Sequence, residues 1–245
     1  MQTRVNKFIS ETGFCSRREA DKIIEDGRVT VNGVKPELGT KVSSLDEIRI
    51  DGKLLNSKRK VVYIAFNKPT GITSTTDQKD KYNIIEFINF PERIFPIGRL
   101  DKDSEGLIFL TNDGDIVNKI LRAGNNHEKE YLVTVEYPLT PEFISSMGNG
   151  VAILDTVTQK CFVEQISTFV FRIILTQGLN RQIRRMCAVL GNDVKQLNRI
   201  RIMNVTLNGI KKGEWRFLSN DEIAAINKSI ANSSNTEEAS RLDSI

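Results

Sequence analysis

The hydrophobic residues of this chain change period repeatedly over short distances and never settle into a regular strand–helix alternation. Val5, Phe8 and Ile9 recur at helical spacing, as do Ala20, Ile23 and Ile24, and Gly13 and Gly27 close the two stretches. Ser16 and Glu19 stand at the S-x-x-E spacing of a capping box. The period then becomes two in Val29-Thr30-Val31 and Glu47-Ile48-Arg49-Ile50, with Asn32-Gly33 and Asp51-Gly52 as turn signals. A small α/β module over 4–55 follows, and the polar, basic stretch at 56–60 reads as a linker. Val61-Val62-Tyr63-Ile64-Ala65-Phe66, the longest unbroken apolar run, predicts a buried strand. Further strands are predicted at 107–111, 131–136, 169–176 and 202–207, and helices at 82–89, 115–122, 141–147, 181–190 and 220–229. The last helix opens on a second capping box, Ser219 to Glu222. Strands and helices mixed in this order favour an α+β fold over a doubly wound sheet. The expected organisation is a small domain at 1–55, a larger one at 61–230, and a disordered Ser-, Asn- and Glu-rich tail at 231–245.

Several function classes fall away. Hydrophobic residues make up 39% of the chain, enough for a packed core. A six-residue apolar run is far short of the roughly 20 residues of a membrane helix, and the first ten residues lack the apolar stretch of a secretory signal. A cytoplasmic protein with no membrane partner is the expectation. The net charge of +4 permits an anionic partner without identifying one. Cys15, Cys161 and Cys187 are too widely spaced for a disulfide framework or a paired zinc site, so no metal is expected. With a single histidine, a Ser-His-Asp hydrolase or a multi-histidine metal site could use only His127, which lies in a polar stretch and is expected to be exposed. Neither G-x-G-x-x-G nor G-x-x-x-x-G-K-[ST] is present. Any chemistry must therefore use carboxylates, arginines, tyrosines and hydroxyls.

Three groups of residues stand out. Arg4 and Lys7 are one turn apart on the first predicted helix, and Arg17 and Arg18 open the second. Cations at a helix start oppose its macrodipole, while the unpaired amides there suit a phosphate. Glu11, Glu19, Asp21, Glu25 and Asp26 are close by. A phosphate site and a solvated charged face fit these residues equally well. Asp101 follows Gly98-Arg99-Leu100 in a loop that feeds a buried strand, and alone reads as a cap or a solvated charge. At 100° per residue, Arg181, Arg184 and Arg185 share one helix face, opposite Ile183, Met186, Cys187 and Leu190. Asn180 is a suitable N-cap, and Gly178 permits unusual backbone or close approach of a ligand. Three guanidinium groups so placed suit an anionic partner or a merely soluble surface, and Arg199 and Arg201 extend the basic character.

Two resemblances weigh these alternatives. Arg4-Val5-Asn6-Lys7-Phe8-Ile9-Ser10, Gly13 to Asp21 and Gly27-Arg28-Val29-Thr30-Val31-Asn32-Gly33 together resemble the S4 RNA-binding domain. Gly98-Arg99-Leu100-Asp101 with Gly106-Leu107 and Leu110-Thr111, then Lys129-Glu130-Tyr131, then Asn180-Arg181-Gln182-Ile183-Arg184-Arg185-Met186 resemble the signature motifs of the RsuA-type pseudouridine synthases. Asn67-Lys68-Pro69-Thr70-Gly71 resembles the first motif of that family. Within the family the similarity is to enzymes of large-subunit rRNA, on 97–115, 124–135, 177–186 and 201–216.

The resemblance implies an S4-like domain followed by a mixed, mainly antiparallel β-sheet catalytic domain. It implies isomerisation of uridine to pseudouridine, which breaks N1–C1′, turns the uracil and rejoins it through C5. No group is imported, so no cofactor is expected. Asp101 becomes the catalytic carboxylate and Arg184 its guanidinium partner. Tyr131 stacks on the everted uracil, worth roughly 1–3 kcal/mol by analogy with base stacking, and its hydroxyl lies near C5. Arg99, Lys68, Arg181 and Arg185, with Arg4, Lys7, Arg17 and Arg18 of the first domain, become RNA contacts. The partner implied is a structured stem-loop of 23S rRNA, with tRNA or a purely RNA-binding role as alternatives, and the protein is expected to act as a monomer.

Overall fold

The computed structural model describes residues 2–55, 60–121 and 126–231. Most of the predicted linker at 56–60, and all of the predicted tail except Ala231, lie outside the described residues. The chain divides into two compact units: Met1–Val62 with Phe90–Ile94 and Asn112–Gly114, and Tyr63–Asn89 with Phe95–Thr111 and Asp115–Ile245.

The first unit runs β1 (Thr3–Arg4), α1 (Val5–Glu11), α2 (Arg17–Glu25), β2 (Val29–Val31), β3 (Lys41–Val42), β4 (Ile48–Ile50) and β5 (Lys53–Leu54). Ser16 Oγ accepts from the Glu19 amide at 3.2 Å, and Glu19 Oε2 accepts from the Ser16 amide at 2.7 Å, so the capping box forms. Val5, Ile9, Ala20, Ile23 and Ile24 pack on Val29, Val42, Ile48 and Ile50, each large aliphatic contributing about 1.5–3 kcal/mol on burial. Half-buried Cys15 packs against the same core. Asn32 and Gly33 both take positive φ, as a type I′ turn requires. That turn closes only an isolated bridge between Val31 and Val34; the strand partner of β2 is β4. Arg17 and Arg18 are exposed in the first turn of α2. Lys7 pairs with Glu11 at 3.5 Å. Arg4 is a correction: it lies in β1 and precedes α1 rather than standing one turn from Lys7 within it.

The second unit runs β6 (Tyr63–Lys68), α3 (Ile84–Ile88), β7 (Phe95–Ile97), β8 (Glu105–Thr111), α4 (Gly114–Leu121), β9 (Lys129–Val135), α5 (Pro141–Asn149), β10 (Ala152–Ile153), β11 (Thr156–Val157), β12 (Phe162–Ser167), β13 (Val170–Leu175), α6 (Gln182–Val189), β14 (Val194–Ile202), β15 (Val205–Thr206), β16 (Trp215–Phe217) and α7 (Asn220–Ile230). A mixed sheet has the order β12-β13-β9-β14-β8-β6-β16, with β15 on β14 and β7 on β8. All its pairings are antiparallel except β14 on β8. Every residue of β8 is buried. Leu107 and Phe109 pack with Ile116 and Ile120 of α4 and with Ile226 and Ile230 of α7. The second capping box forms, Ser219 Oγ accepting from the Glu222 amide at 3.2 Å.

The strand predicted at 202–207 is two strands joined by a turn at Met203, whose φ is +52°. His127, expected to be exposed, is 7% exposed. Burial, then the neighbouring Lys129 charge, holds its pKa below the ordinary imidazole value.

One backbone approach is decisive for the sheet. Gly106 has φ +107°, and an added Cβ would collide with the Arg199 carbonyl oxygen and the Asn198 side chain across the parallel pair. The Arg199 obstacle is backbone and cannot rotate away. Gly106→Ala is therefore expected to lose about 2–4 kcal/mol. Gly178→Ala, where nothing lies within 4 Å of an added Cβ, should stay within about 0.5 kcal/mol of the parent. Paired chemical denaturation curves test the contrast, and equal midpoints would contradict it.

Candidate active site

The loop between β7 and β8 carries Asp101. β7 pairs with β8 as far as Ile97 opposite Phe109, and β14 then takes up β8 at Glu105 and Gly106. The loop leaves the sheet where one neighbour gives way to the other. Its backbone is pinned from several sides. The Ser74 hydroxyl donates to the Leu100 carbonyl at 2.8 Å and accepts from the Leu100 amide at 3.1 Å. The Ser104 amide donates to the Asp101 carbonyl at 3.0 Å, and the Gly71 amide to the Lys102 carbonyl at 2.7 Å. With the main chain held, the Asp101 carboxylate stays 31% exposed at the edge of a cleft.

Lys68, expected to touch RNA, cannot do so in this structure. It is fully buried at the end of β6, and its Nζ donates to the carbonyls of Pro69 at 2.9 Å and Ile72 at 2.8 Å. Burial pushes its pKa down to about 8, although the charges of Asp101 and Asp103 pull the other way. Its observed work is to hold the loop after β6 from inside.

The segment before α6 departs from expectation in a useful way. Arg181, not Asn180, is the residue at the helix N-cap, and it takes left-handed backbone at φ +49°. Asn180 instead accepts from Arg185, through its carbonyl at 3.0 Å and its Oδ1 at 3.1 Å, which folds exposed Arg185 back along the rim. Gly178, offered as a site of unusual backbone, has no positive φ. Ile183, Met186 and Cys187 are buried, as their spacing predicts, and Gln182 joins them by accepting from the Leu179 amide at 3.0 Å.

The guanidinium groups are also distributed differently from the expected Asp101–Arg184 fork. Arg184 donates to the carbonyls of Val194 at 3.1 Å and Asp103 at 3.0 Å, and pairs with the Asp103 carboxylate at 3.3 Å. Arg181 grips Asp103 through two bonds of 3.2 Å and stands 3.5 Å from Asp101. Thus Arg181 is the cation on Asp101, while Arg184 braces the loop against β14. Burial would raise the Asp103 pKa, but the Arg181 hydrogen bonds and the Arg184 charge outweigh it and hold the carboxyl below its usual range.

Arg99, Asp101, Tyr131, Arg181 and Arg184 all line one cleft of about 400 Å³. Tyr131 is 8% exposed, in the middle of β9. A second groove of about 860 Å³, lined by Thr70, Ser74, Asp77 and Asp80 among others, shares Arg99, Leu100, Asp101 and Arg181 with the first. Asp101 therefore sits where two openings meet. Arg199, treated in the sequence only as added basic character, is buried and lines the first cleft opposite Tyr131. Its β-strand pairing is the signal the sequence pattern did not reveal.

A carboxylate at the mouth of a nucleoside-sized cleft, walled by a tyrosine and ringed by arginines, suits chemistry on a base taken out of a nucleic acid. The comparisons with known proteins agree. The family described as RNA pseudouridylate synthase matches residues 62–189, and the S4 domain matches residues 3–48. The dual-specificity RNA pseudouridine synthase RluF of Escherichia coli (strain K12) is 58% identical over 233 residues, covering 94% of this chain and 80% of its own. The ribosomal large subunit pseudouridine synthase B of Bacillus subtilis (strain 168) is 34% identical over 229 residues, covering 90% of this chain and 93% of its own. A solved structure of a pseudouridylate synthase is 31% identical, covers 91% of this chain and 99% of that one, and superposes with a TM-score of 0.67. The chain belongs to the RNA pseudouridine synthase family, with an S4 domain ahead of its catalytic domain. Its activity is isomerisation of uridine in RNA.

Buried Lys68 gives a pH test of the pinned loop. The folded state releases the Lys68 proton near pH 8 and the unfolded chain near the ordinary 10.5. Between these values the unfolded state binds more protons, so this residue's contribution to stability rises with pH. The stability of the parent relative to Lys68→Met should therefore shift in the parent's favour from pH 7.5 to pH 9.5 in urea titrations. A difference that is flat or falls over that range would contradict the burial of a charged lysine here.

Proposed function

We propose that this protein isomerises a specific uridine in a stem-loop of 23S rRNA, with Asp101 as the carboxylate at the reacting centre. The observation that carries the reading is the convergence of Asp101, Tyr131 and Arg181 on one cleft of nucleoside size. Reaching Asp101 requires the uridine to leave its stack, at a cost of a few kcal/mol that is least in a loop or bulge. Tyr131 offers a ring for the everted uracil and a hydroxyl toward C5. Arg99, exposed and lining both openings, takes a flanking phosphate. Arg184 acts on Asp101 through the loop it braces, and Arg181 and Arg185 face RNA at the rim. In the first unit, exposed Arg17 and Arg18, with Arg4 and Lys7, supply a second RNA contact. Both contacts lie on one chain, which supports action as a monomer. The substrate assigns the protein to the cytoplasm; among the described residues no helix is long and apolar enough to cross a membrane.

The large-subunit substrate is supported by the name of the Bacillus relative. The words "dual-specificity" in the name of the Escherichia coli relative favour a second RNA, for which tRNA is the candidate. Mapping pseudouridines in rRNA and tRNA of a deletion strain distinguishes one substrate from two.

Asp101→Asn should abolish tritium release from C5-labelled uridine in 23S rRNA while RNA affinity stays within about threefold. Arg184→Lys, which keeps the charge but loses the planar fork, should cost about 10²-fold in turnover by misplacing the loop. An active Asp101→Asn protein, or an unmodified protein that releases no label from rRNA or tRNA, would overturn the reading. Replacing Arg17 and Arg18 together with alanine should lower the salt dependence of RNA binding by about one unit of slope per residue, with kcat unchanged.

A further inference from the structure

Arg199 is the one arginine among the described residues that is buried outright, at 4% exposure. Its Nε donates to the Leu107 carbonyl at 2.6 Å. Its Nη2 is buried with no hydrogen-bond partner, and the ion pairs around the site go to Arg181, Arg184 and Lys212 instead. Lys68 lies close enough for the two positive charges to repel. Burying an ion without a counter-charge is costly, and an orphaned donor adds to the cost. Packing alone would be served better by an apolar side chain.

Position indicates what the group is for. Arg199 stands directly opposite Tyr131 on the neighbouring strand, so the two side chains rise from the same face of the sheet. Both line the cleft that contains Asp101. An RNA phosphate entering that cleft meets exposed Arg99 and Arg181 first. Only the base travels far enough to meet a group as deep as Arg199. In the reaction N1–C1′ breaks with its electron pair left on the uracil, C5–C1′ forms, the C5 proton leaves to a base, and N1 gains a proton. Between the two bond changes the ring holds negative charge, which conjugation spreads onto its carbonyl oxygens.

We propose that Arg199 contacts the substrate: its free Nη2–H donates to a carbonyl oxygen of the everted uracil and holds the charge that the ring carries between bond breakage and re-formation. A preorganised donor in a water-poor site is suited to this role. The inference rests on the pseudouridine reading above and adds a substrate-contacting residue to it.

The test pairs Arg199→Met and Arg199→Lys with RNA carrying uridine, 2-thiouridine or 4-thiouridine at the modified position. Sulfur is the poorer acceptor, so the unmodified protein should slow by about tenfold on one of the two thio substrates, identifying the oxygen held. Arg199→Met should lose about 10²-fold in kcat, keep its RNA affinity within about threefold, and show no thio penalty. Arg199→Lys should recover part of the loss. Turnover of Arg199→Met within about threefold of the parent would overturn the proposal, as would a thio penalty that survives unchanged in both variants. If the methionine variant fails to melt cooperatively, the same thio comparison on Arg199→Lys decides. An unmodified protein inactive on every RNA refutes the function itself; an active one indifferent to Arg199 refutes only this inference.

Discussion

The parallel join between β8 and β14 is the constraint on which the site depends. Only Glu105 and Gly106 meet Asn198 and Arg199 in this direction, within an otherwise antiparallel sheet. A parallel pair is slightly weaker per residue than an antiparallel one, and this one is two residues long. It is affordable because β8 is fully buried and held along its other edge by β6. The exchange of neighbours from β7 to β14 forces the intervening chain out of the sheet, which puts Asp101 on a pinned loop. The same join brings Arg199 beside β8, where it satisfies the Leu107 carbonyl. Because β14 also pairs with β9, Tyr131 is delivered to the same place. Carboxylate, buried cation and aromatic ring thus have one common geometric cause.

Charge is partitioned within this arrangement by exposure. Asp103 takes the two bonds of Arg181 and an ion pair with Arg184, while Asp101 receives a single 3.5 Å approach. Arg181 is 42% exposed and Asp101 31% exposed, and pairs of that kind contribute little to stability. The contact on Asp101 is therefore a weak one. Arg184 is different. Its bonds to the Val194 and Asp103 carbonyls tie β14 to the loop, so it sets geometry and need not move. The expected pairing of Asp101 with Arg184 becomes a four-residue cluster of Asp101, Asp103, Arg181 and Arg184.

Local signals were legible in the sequence and non-local ones were not. Both capping boxes form where S-x-x-E is written, because each needs only one helical turn. Five predicted helices of the second domain appear within a few residues of their expected bounds, since their apolar spacing is local too. The nine-residue β14 is not among the expected strands: Val-Lys-Gln-Leu-Asn-Arg carries polar residues where the strand faces the cleft, so the alternation that marks a half-buried strand is absent. The family resemblance makes Lys68 an RNA contact, but nothing in the sequence shows that the Pro69 and Ile72 carbonyls turn back to receive it. His127 was hidden in the same way by its polar neighbours. Asp101, Tyr131 and Arg181 reach one cleft from a loop, a strand and a helix entry, and their spacing in the sequence alone does not join them; the motif resemblance does. Arg199 escaped because its importance lies in what it lacks, a counter-charge, and that is visible only once the fold is known.

An isomerisation that imports no group places unusual demands on such a site. Every heavy atom of the product comes from the nucleotide, so the protein must extract one base, hold it while it turns, and tolerate transient charge on it. A cleft of about 400 Å³ is commensurate with one nucleoside, and leaves little to distinguish one uridine from another. Discrimination must then come from the RNA around the target. The adjoining groove of about 860 Å³ opens at the same aspartate and mixes hydroxyls and carboxylates with the cations Arg99, Lys102 and Arg181. A second basic face, with Arg17 and Arg18 exposed, lies on the S4 domain of the same chain.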